Sequence, residues 1–211
     1  MSVTTVPAYE ALAADIKSLG TECVFGLMSD DTALLVTTLD AMGVRFHAAR
    51  HENTACAMAE GYAAATGRLG IVILGRGPAT ANGLHGATYA QRTGSRVLLI
   101  VGDASNAPAA ANGLGPDTKG FNTLVVLQGA GIRSFVATDS TTARRTLAQA
   151  VAATLHGAAA LLLPTNVMFG EIDPAATAPG IVAASTRTPK PARAAAEIGR
   201  ASCRERVLQV V

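Results

Sequence analysis

Short apolar runs that alternate with stretches of helical spacing constrain this chain more than any other feature. Gly70 to Leu74 and Val97 to Val101 carry no polar side chain, and Ala160 to Pro164 repeats the pattern. Runs this short, bounded by turn residues and without polar alternation, read as strands buried on both faces. Glu22 to Leu27 and Val44 to Ala48 are also dense enough for buried strands, and Ile132 to Ala137 makes a further one.

Between them the spacing turns helical. Leu12, Ile16 and Leu19 mark one face of a helix that Gly20 ends, and Leu35, Leu39 and Met42 repeat the pattern before Gly43. Asn53-Thr54 is a good helix start for an alanine-rich run stopped by Gly67. Further helices are expected from Ala79 to Arg92, from Asn122 to Gln128, and through Leu147, Val151 and Leu155 up to Gly157. Gly102 to Gly120, rich in Ala, Gly, Asn and Pro, predicts a mobile loop. Repeated βα units with buried strands imply an α/β fold of three αβα layers, a mostly parallel sheet with helices on both faces.

Composition excludes several functions. With 211 residues and 49% hydrophobic content the chain can bury one good core, and a net charge of +2 gives no argument for nucleic acid or an anionic membrane. No basic stripe is interleaved with aromatics. Cys23, Cys56 and Cys203 form neither a CxxC pair nor a metal-like cluster with the four histidines, which suggests a reducing compartment. The N-terminus lacks a signal-peptide pattern and no apolar run approaches membrane-spanning length, so a cytoplasmic location is expected.

Two stretches carry chemistry. The first is Arg50-His51-Glu52, which places Glu52 at a strand-to-helix junction, where ligands of open α/β sheets bind. A carboxylate there also favours the helix macrodipole, and Arg50 is close enough in sequence to pair with it, so a purely structural role fits the local pattern equally. The second is Gly75-Arg76-Gly77-Pro78-Ala79-Thr80-Ala81-Asn82-Gly83. Its glycines let backbone approach a ligand and Pro78 suits a first helical turn, but a tight strand-to-helix connection has the same composition.

Arg50-His51-Glu52, Met58-Ala59-Glu60-Gly61-Tyr62-Ala63 and Ala65-Thr66-Gly67 together resemble the pyrimidine-binding (PYR) domain of thiamine diphosphate-dependent enzymes, in the acetolactate synthase-like group. The resemblance runs from about Ala8 to Asp173. It implies that Glu52 hydrogen-bonds N1′ of the cofactor's aminopyrimidine. This favours the imino tautomer, which takes the proton from the thiazolium carbon. Such a task needs a desolvated carboxyl able to share a proton. The second stretch matches the family's Gly-Pro-Gly-Ala-Thr-Asn turn at Gly77, Pro78 and Asn82, implying that these shape the ring pocket. Ala79 replaces the second glycine, and Thr80-Ala81 reverses the Ala-Thr order.

Other departures blur the substrate class. Gly102-Asp103 stands where many members have Gly-Gln, and Gly26-Leu27-Met28-Ser29 replaces a Pro-Gly-Gly segment. Phe121-Asn122 falls near a Phe-Gln pair that faces substrate in acetolactate synthases, so Asn122 is a candidate substrate contact as well as a helix-starting residue. His51 is read as a motif or corner histidine, His85 as packing between elements in preference to pointing into the cleft, Met58 and Tyr62 as core, and Asp30-Asp31 as a capping pair.

The family holds diphosphate and magnesium through a Gly-Asp-Gly…Asn motif on a later domain. Gly102-Asp103-Ala104 is not that motif, so no metal ligands are assigned in this chain. Three segments are expected: residues 1–173 as the PYR domain, 174–196 as an interdomain linker, and 197–211 as an artefactual tail. Glu197 to Val207 resembles a translated sequencing adapter, which implies a reading frame cut short.

The whole enzyme is then expected to decarboxylate a 2-oxo acid, pairing this domain with the diphosphate domain of another subunit in a homodimer or homotetramer. Flavin (FAD) use is left open, and the fragment alone is expected to be inactive. The alternatives are a separate PYR subunit, as in sulfopyruvate decarboxylase-like enzymes, and a non-catalytic flavodoxin-like binding or scaffold domain in which Glu52 is only a cap.

Overall fold

A computed structural model describes residues 4–107 and 119–175 of the chain. The expected linker beyond Ala175 and the tail lie outside the described residues, as does most of the predicted Gly102 to Gly120 loop. The elements run β1 (Val6–Pro7), α1 (Ala8–Ser18), β2 (Cys23–Gly26), α2 (Ala33–Ala41), β3 (Arg45–Ala48), α3 (Glu52–Thr66), β4 (Gly70–Leu74) and α4 (Pro78–Thr93). They continue with β5 (Val97–Asp103), α5 (Thr123–Gly129), β6 (Arg133–Val136), α6 (Ser140–Ala153), β7 (Ala159–Pro164), α7 (Thr165–Met168) and β8 (Glu171–Ile172).

Six strands form one parallel sheet in the order β3-β2-β4-β5-β7-β6. The α/β fold with helices on both faces is as the sequence predicts. Because strand side chains alternate, each apolar run feeds two cores. Ile71, Ile73, Leu98, Ile100, Leu161 and Leu163 meet Leu12 and Ile16 of α1, Leu35 and Leu39 of α2, and Leu147 of α6. Val72, Leu74, Leu99, Val101 and Leu162 face the other way, against α3, α4 and Leu127 of α5. Burial of each large aliphatic contributes about 1.5–3 kcal/mol, so these central strands dominate the stability.

Four details differ from the sequence reading. Helix α2 ends at Ala41, which leaves Met42 exposed beyond its last turn. Helix α6 ends at Ala153 and tightens into a 3₁₀ turn over Thr154–His156; the changed angular step carries Leu155 off the buried face into solvent. Gly102 and Asp103 are the last residues of β5 rather than loop. A two-residue antiparallel pair, β1 with β8, was not legible because its strands are too short to show a period.

One buried ion pair spans the fold. The Arg144 guanidinium on α6 donates from Nε to Asp15 Oδ2 (2.8 Å) and from Nη2 to Asp15 Oδ1 (2.7 Å), tying α6 to α1 with both partners mostly buried. Removing one partner leaves the other charge largely buried and without its counter-charge in this pair. Asp15→Ala is expected to cost about 3–5 kcal/mol in chemical denaturation. A double Asp15→Leu, Arg144→Met change, which removes both charges, recovers most of that loss; a double variant no more stable than Asp15→Ala contradicts the pair's role.

Candidate active site

The strand order reverses between β2 and β4, since β3 lies to one side of β2 and β5 to the far side of β4. Crevices at such switch points, outside the carboxyl ends of the strands, are where open α/β sheets bind ligands. Here the residues after β3 and after β4 contribute Glu52 and the Gly75 to Asn82 stretch.

Glu52 is the first residue of α3 and only 7% exposed. Its Oε2 accepts a hydrogen bond from the Asn82 side-chain amide at 3.1 Å. Among the described residues no cation pairs with it, and Arg50 is exposed. The helix does not begin at Asn53-Thr54 as expected. His51 is the N-cap, and its Nδ1 accepts the Asn53 N–H at 3.2 Å, so the capping task falls to His51 and not to Glu52. Asn53 instead meets His85, whose Nδ1 lies 3.3 Å from Asn53 Oδ1, so His85 bridges α4 to α3 at an exposed surface.

Asn82 reaches Glu52 because α3 and α4 touch through small residues. A Cβ at Gly83 would stand 2.9 Å from Leu74 Cδ1 and 3.2 Å from Cys56 Sγ, and one at Gly86 would stand 2.7 Å from Cys56 Cβ. Cys56 is fully buried one turn below Glu52; burial first, and then the Glu52 charge, push its thiol up to about 12. It therefore stays a neutral packing group. Met58 and Tyr62 are partly buried against this same core, and Tyr62 tilts onto Phe25.

Gly77 is the N-cap of α4 at φ +63°, ψ −118°, and Pro78 begins the helix. A Cβ on Gly77 would collide with the Lys119 carbonyl oxygen and stand 3.4 Å from Phe121 Cβ, so the residues before α5 pack directly on the turn. This brings Phe121-Asn122 beside Gly77, a neighbourhood that sequence spacing could not show. Asn122 caps α5, its Oδ1 accepting the Val125 N–H at 3.2 Å. Thr80 points inward, its hydroxyl donating to the Gly75 carbonyl at 3.3 Å, which explains why reversing the Ala-Thr order leaves no threonine on the open side of this turn: Ala81 is exposed and Thr80 buried.

The Asp30-Asp31 pair does not cap α2, whose N-cap is Thr32. Asp31 is buried and accepts Arg76 Nε at 3.1 Å, while Asp30 meets Lys119 Nζ at 2.6 Å. At the end of β5, burial pushes the Asp103 carboxyl above the usual range, outweighing the Ala104 N–H and the Arg76 charge that pull it down. No three His, Cys, Asp or Glu side chains gather as metal ligands among the described residues, and no helix there is long and apolar enough to cross a membrane.

Two outcomes follow from this geometry. Gly77→Ala forces an L residue into a strained conformation and against Lys119, costing about 1–3 kcal/mol measured as a lowered unfolding midpoint. Because Asp103 binds its proton more tightly when folded, stability is expected to fall as pH rises from the ordinary carboxylate range through its raised value. Asp103→Asn flattens that decline and raises Tm at neutral pH; an unchanged pH profile of Tm contradicts the assignment.

A family model described as "Thiamine pyrophosphate enzyme, N-terminal TPP binding domain" matches residues 7–129, more than half of the chain. Among curated proteins, mouse 2-hydroxyacyl-CoA lyase 2 is 33% identical over 96 residues, covering 46% of this chain and 15% of that protein. The probable 2-ketoarginine decarboxylase AruI of Pseudomonas aeruginosa is 31% identical over 113 residues (53% and 20%), and the acetolactate synthase large subunit of Lactococcus lactis 32% over 88 (41% and 15%). The matched segment thus spans a fifth or less of each of these relatives. With the family match extending from β1 to the end of α5, this chain belongs to the thiamine pyrophosphate enzymes and carries their N-terminal, TPP-binding domain.

Proposed function

We propose that this chain is the pyrimidine-binding part of a larger thiamine diphosphate enzyme that decarboxylates a 2-oxo acid and releases the remaining fragment to a proton or an acceptor carbonyl. The observation that carries this reading is Glu52: a carboxylate 7% exposed, without a cation partner among the described residues, and relieved of helix capping by His51. A carboxylate kept dry and singly hydrogen-bonded suits proton sharing with a ring nitrogen and is poorly explained as a surface ion pair. The residues present therefore fit an aminopyrimidine at this corner.

When bound, the cofactor supplies a nucleophilic carbon and an electron sink for carbon–carbon cleavage. The chain's own residues would do the rest. Glu52 holds and moves the proton at the ring nitrogen. Asn82 fixes which carboxylate oxygen faces the ring, and Gly77 and Pro78 form the wall of the ring pocket. Asn122, beside that wall, would contact substrate through the amide nitrogen that its capping bond leaves over. Diphosphate and magnesium would be held on a further domain of another subunit, in a homodimer or homotetramer. The 211 residues alone would not catalyse.

The 2-oxo acid class is supported by the Pseudomonas relative, a probable 2-ketoarginine decarboxylase. A 2-hydroxyacyl-CoA as substrate is the second reading, favoured by the mouse relative. The test uses a complete enzyme that carries this domain. Glu52→Gln is expected to slow exchange of the thiazolium C2 proton by roughly 10²–10⁴-fold, the usual worth of a positioned acid–base group. Exchange unaffected by the substitution would return Glu52 to the scaffold reading. Decarboxylation of 2-oxo acids against cleavage of 2-hydroxyacyl-CoA then separates the two substrate classes.

A further inference from the structure

Asp31 is a buried carboxylate with no local task. It is 8% exposed, and Thr32, the N-cap of α2, makes no side-chain capping bond for it to assist. What it does instead is hold distant chain together. Asp31 Oδ1 accepts Arg76 Nε at 3.1 Å, and Oδ2 lies 3.4 Å from the Arg76 backbone N–H, so one carboxylate grips both the side chain and the main chain of the residue preceding Gly77. Lys119 Nζ stands 3.7 Å from Asp31 Oδ2 and 2.6 Å from Asp30 Oδ1. The Lys119 carbonyl packs on the very face of Gly77 that a Cβ would occupy. From below, the Asp31 segment rests on β5: a Cβ on Gly102 would stand 3.0 Å from Asp31 Cβ.

Asp30 and Asp31 thus face Arg76 and Lys119 across this contact. The cluster acts as a clasp, joining the segment after β2, the turn after β4 and the residues before α5. All three converge on Gly77, from which α4 leaves toward Asn82, a little over one turn along, and Asn82 is the partner of Glu52.

We infer that Asp31 is a positioning residue for Glu52: its grip on Arg76 sets the Gly77 turn, and the turn sets the register at which α4 presents Asn82 to the carboxylate. The relevance of this to catalysis rests on the function proposed above, but the coupling itself does not. The test is solution NMR on the full chain, isotope-labelled. In Asp31→Asn, which keeps shape and loses charge, the Asn82 side-chain amide is expected to lose its carboxylate-bonded shift. The Thr80 and Ala81 amides, which donate to the Gly77 carbonyl at 3.0 and 3.3 Å, should exchange about tenfold faster, the equivalent of one charge-assisted hydrogen bond.

Asp15→Asn, which weakens a buried pair remote from the turn, serves as the control for general loss of stability and should leave the Asn82 signal in place. Where Asp31→Asn does not fold, Arg76→Lys keeps the charge but removes the planar fork, and the same loosening is expected in smaller degree. An unchanged Asn82 signal with unchanged Thr80 and Ala81 exchange in the folded variant overturns the inference. Failure of Glu52→Gln to slow proton exchange in the complete enzyme would instead overturn the functional reading and leave this coupling standing.

Discussion

The contact on which this site depends is the near-backbone approach of α3 and α4. Gly83 and Gly86 lie against Leu74 and Cys56, and a methyl group at either position would have to displace a neighbouring side chain. Helix pairs separated by ordinary side chains sit 8–10 Å apart, and small residues bring the axes toward the near end of that range. Across this close contact the short side chain of Asn82 reaches Glu52 at 3.1 Å. Cys56, small, neutral and buried, fills the seam without competing for hydrogen bonds. A packing choice in the core thus becomes a hydrogen bond at the site.

The sheet supplies the other half of the geometry. Strands β4, β5 and β7 are apolar on both faces because helices cover both, so their carboxyl ends form a fixed row from which polar residues project. Arg76 follows β4 and Asp103 ends β5, and Glu52 follows β3 at the edge of the same sheet. Their burial is a consequence of helices and loops crowding the same edge, and it explains why Asp103 has its carboxyl raised while Asp31 needs a guanidinium. The crowding also makes glycine obligatory at Gly77, where the chain must take a positive φ under the Lys119 carbonyl.

Much of the fold was legible from periodicity alone. Gly70–Leu74 forms a strand with the predicted limits, and Val97 and Ala160 lie in strands extended by one or two residues. Errors fell at helix ends, as with Met42 and Leu155, where one residue of shift changes the exposed face. Helix α3 was misplaced at its start because a histidine cap carries a weak sequence signal beside the stronger Asn53-Thr54. The Asp30-Asp31 pair was misread for a related reason. Short acidic residues before a helix have a local explanation, and the actual partners, Arg76 and Lys119, lie 45 and 88–89 residues away.

The amino-acid sequence by itself determined the layered α/β fold, the corner position of Glu52 and the thiamine diphosphate family, since each is written in local spacing or in a contiguous motif. Only the tertiary structure decided that Asn82 holds Glu52, that His51 rather than Glu52 caps α3, and that Asp31 and Lys119 close on the Gly77 turn. Those contacts join residues far apart in the chain through helix approach distances and backbone collisions. Neither quantity has a period or a motif, so both become visible only once the elements are packed.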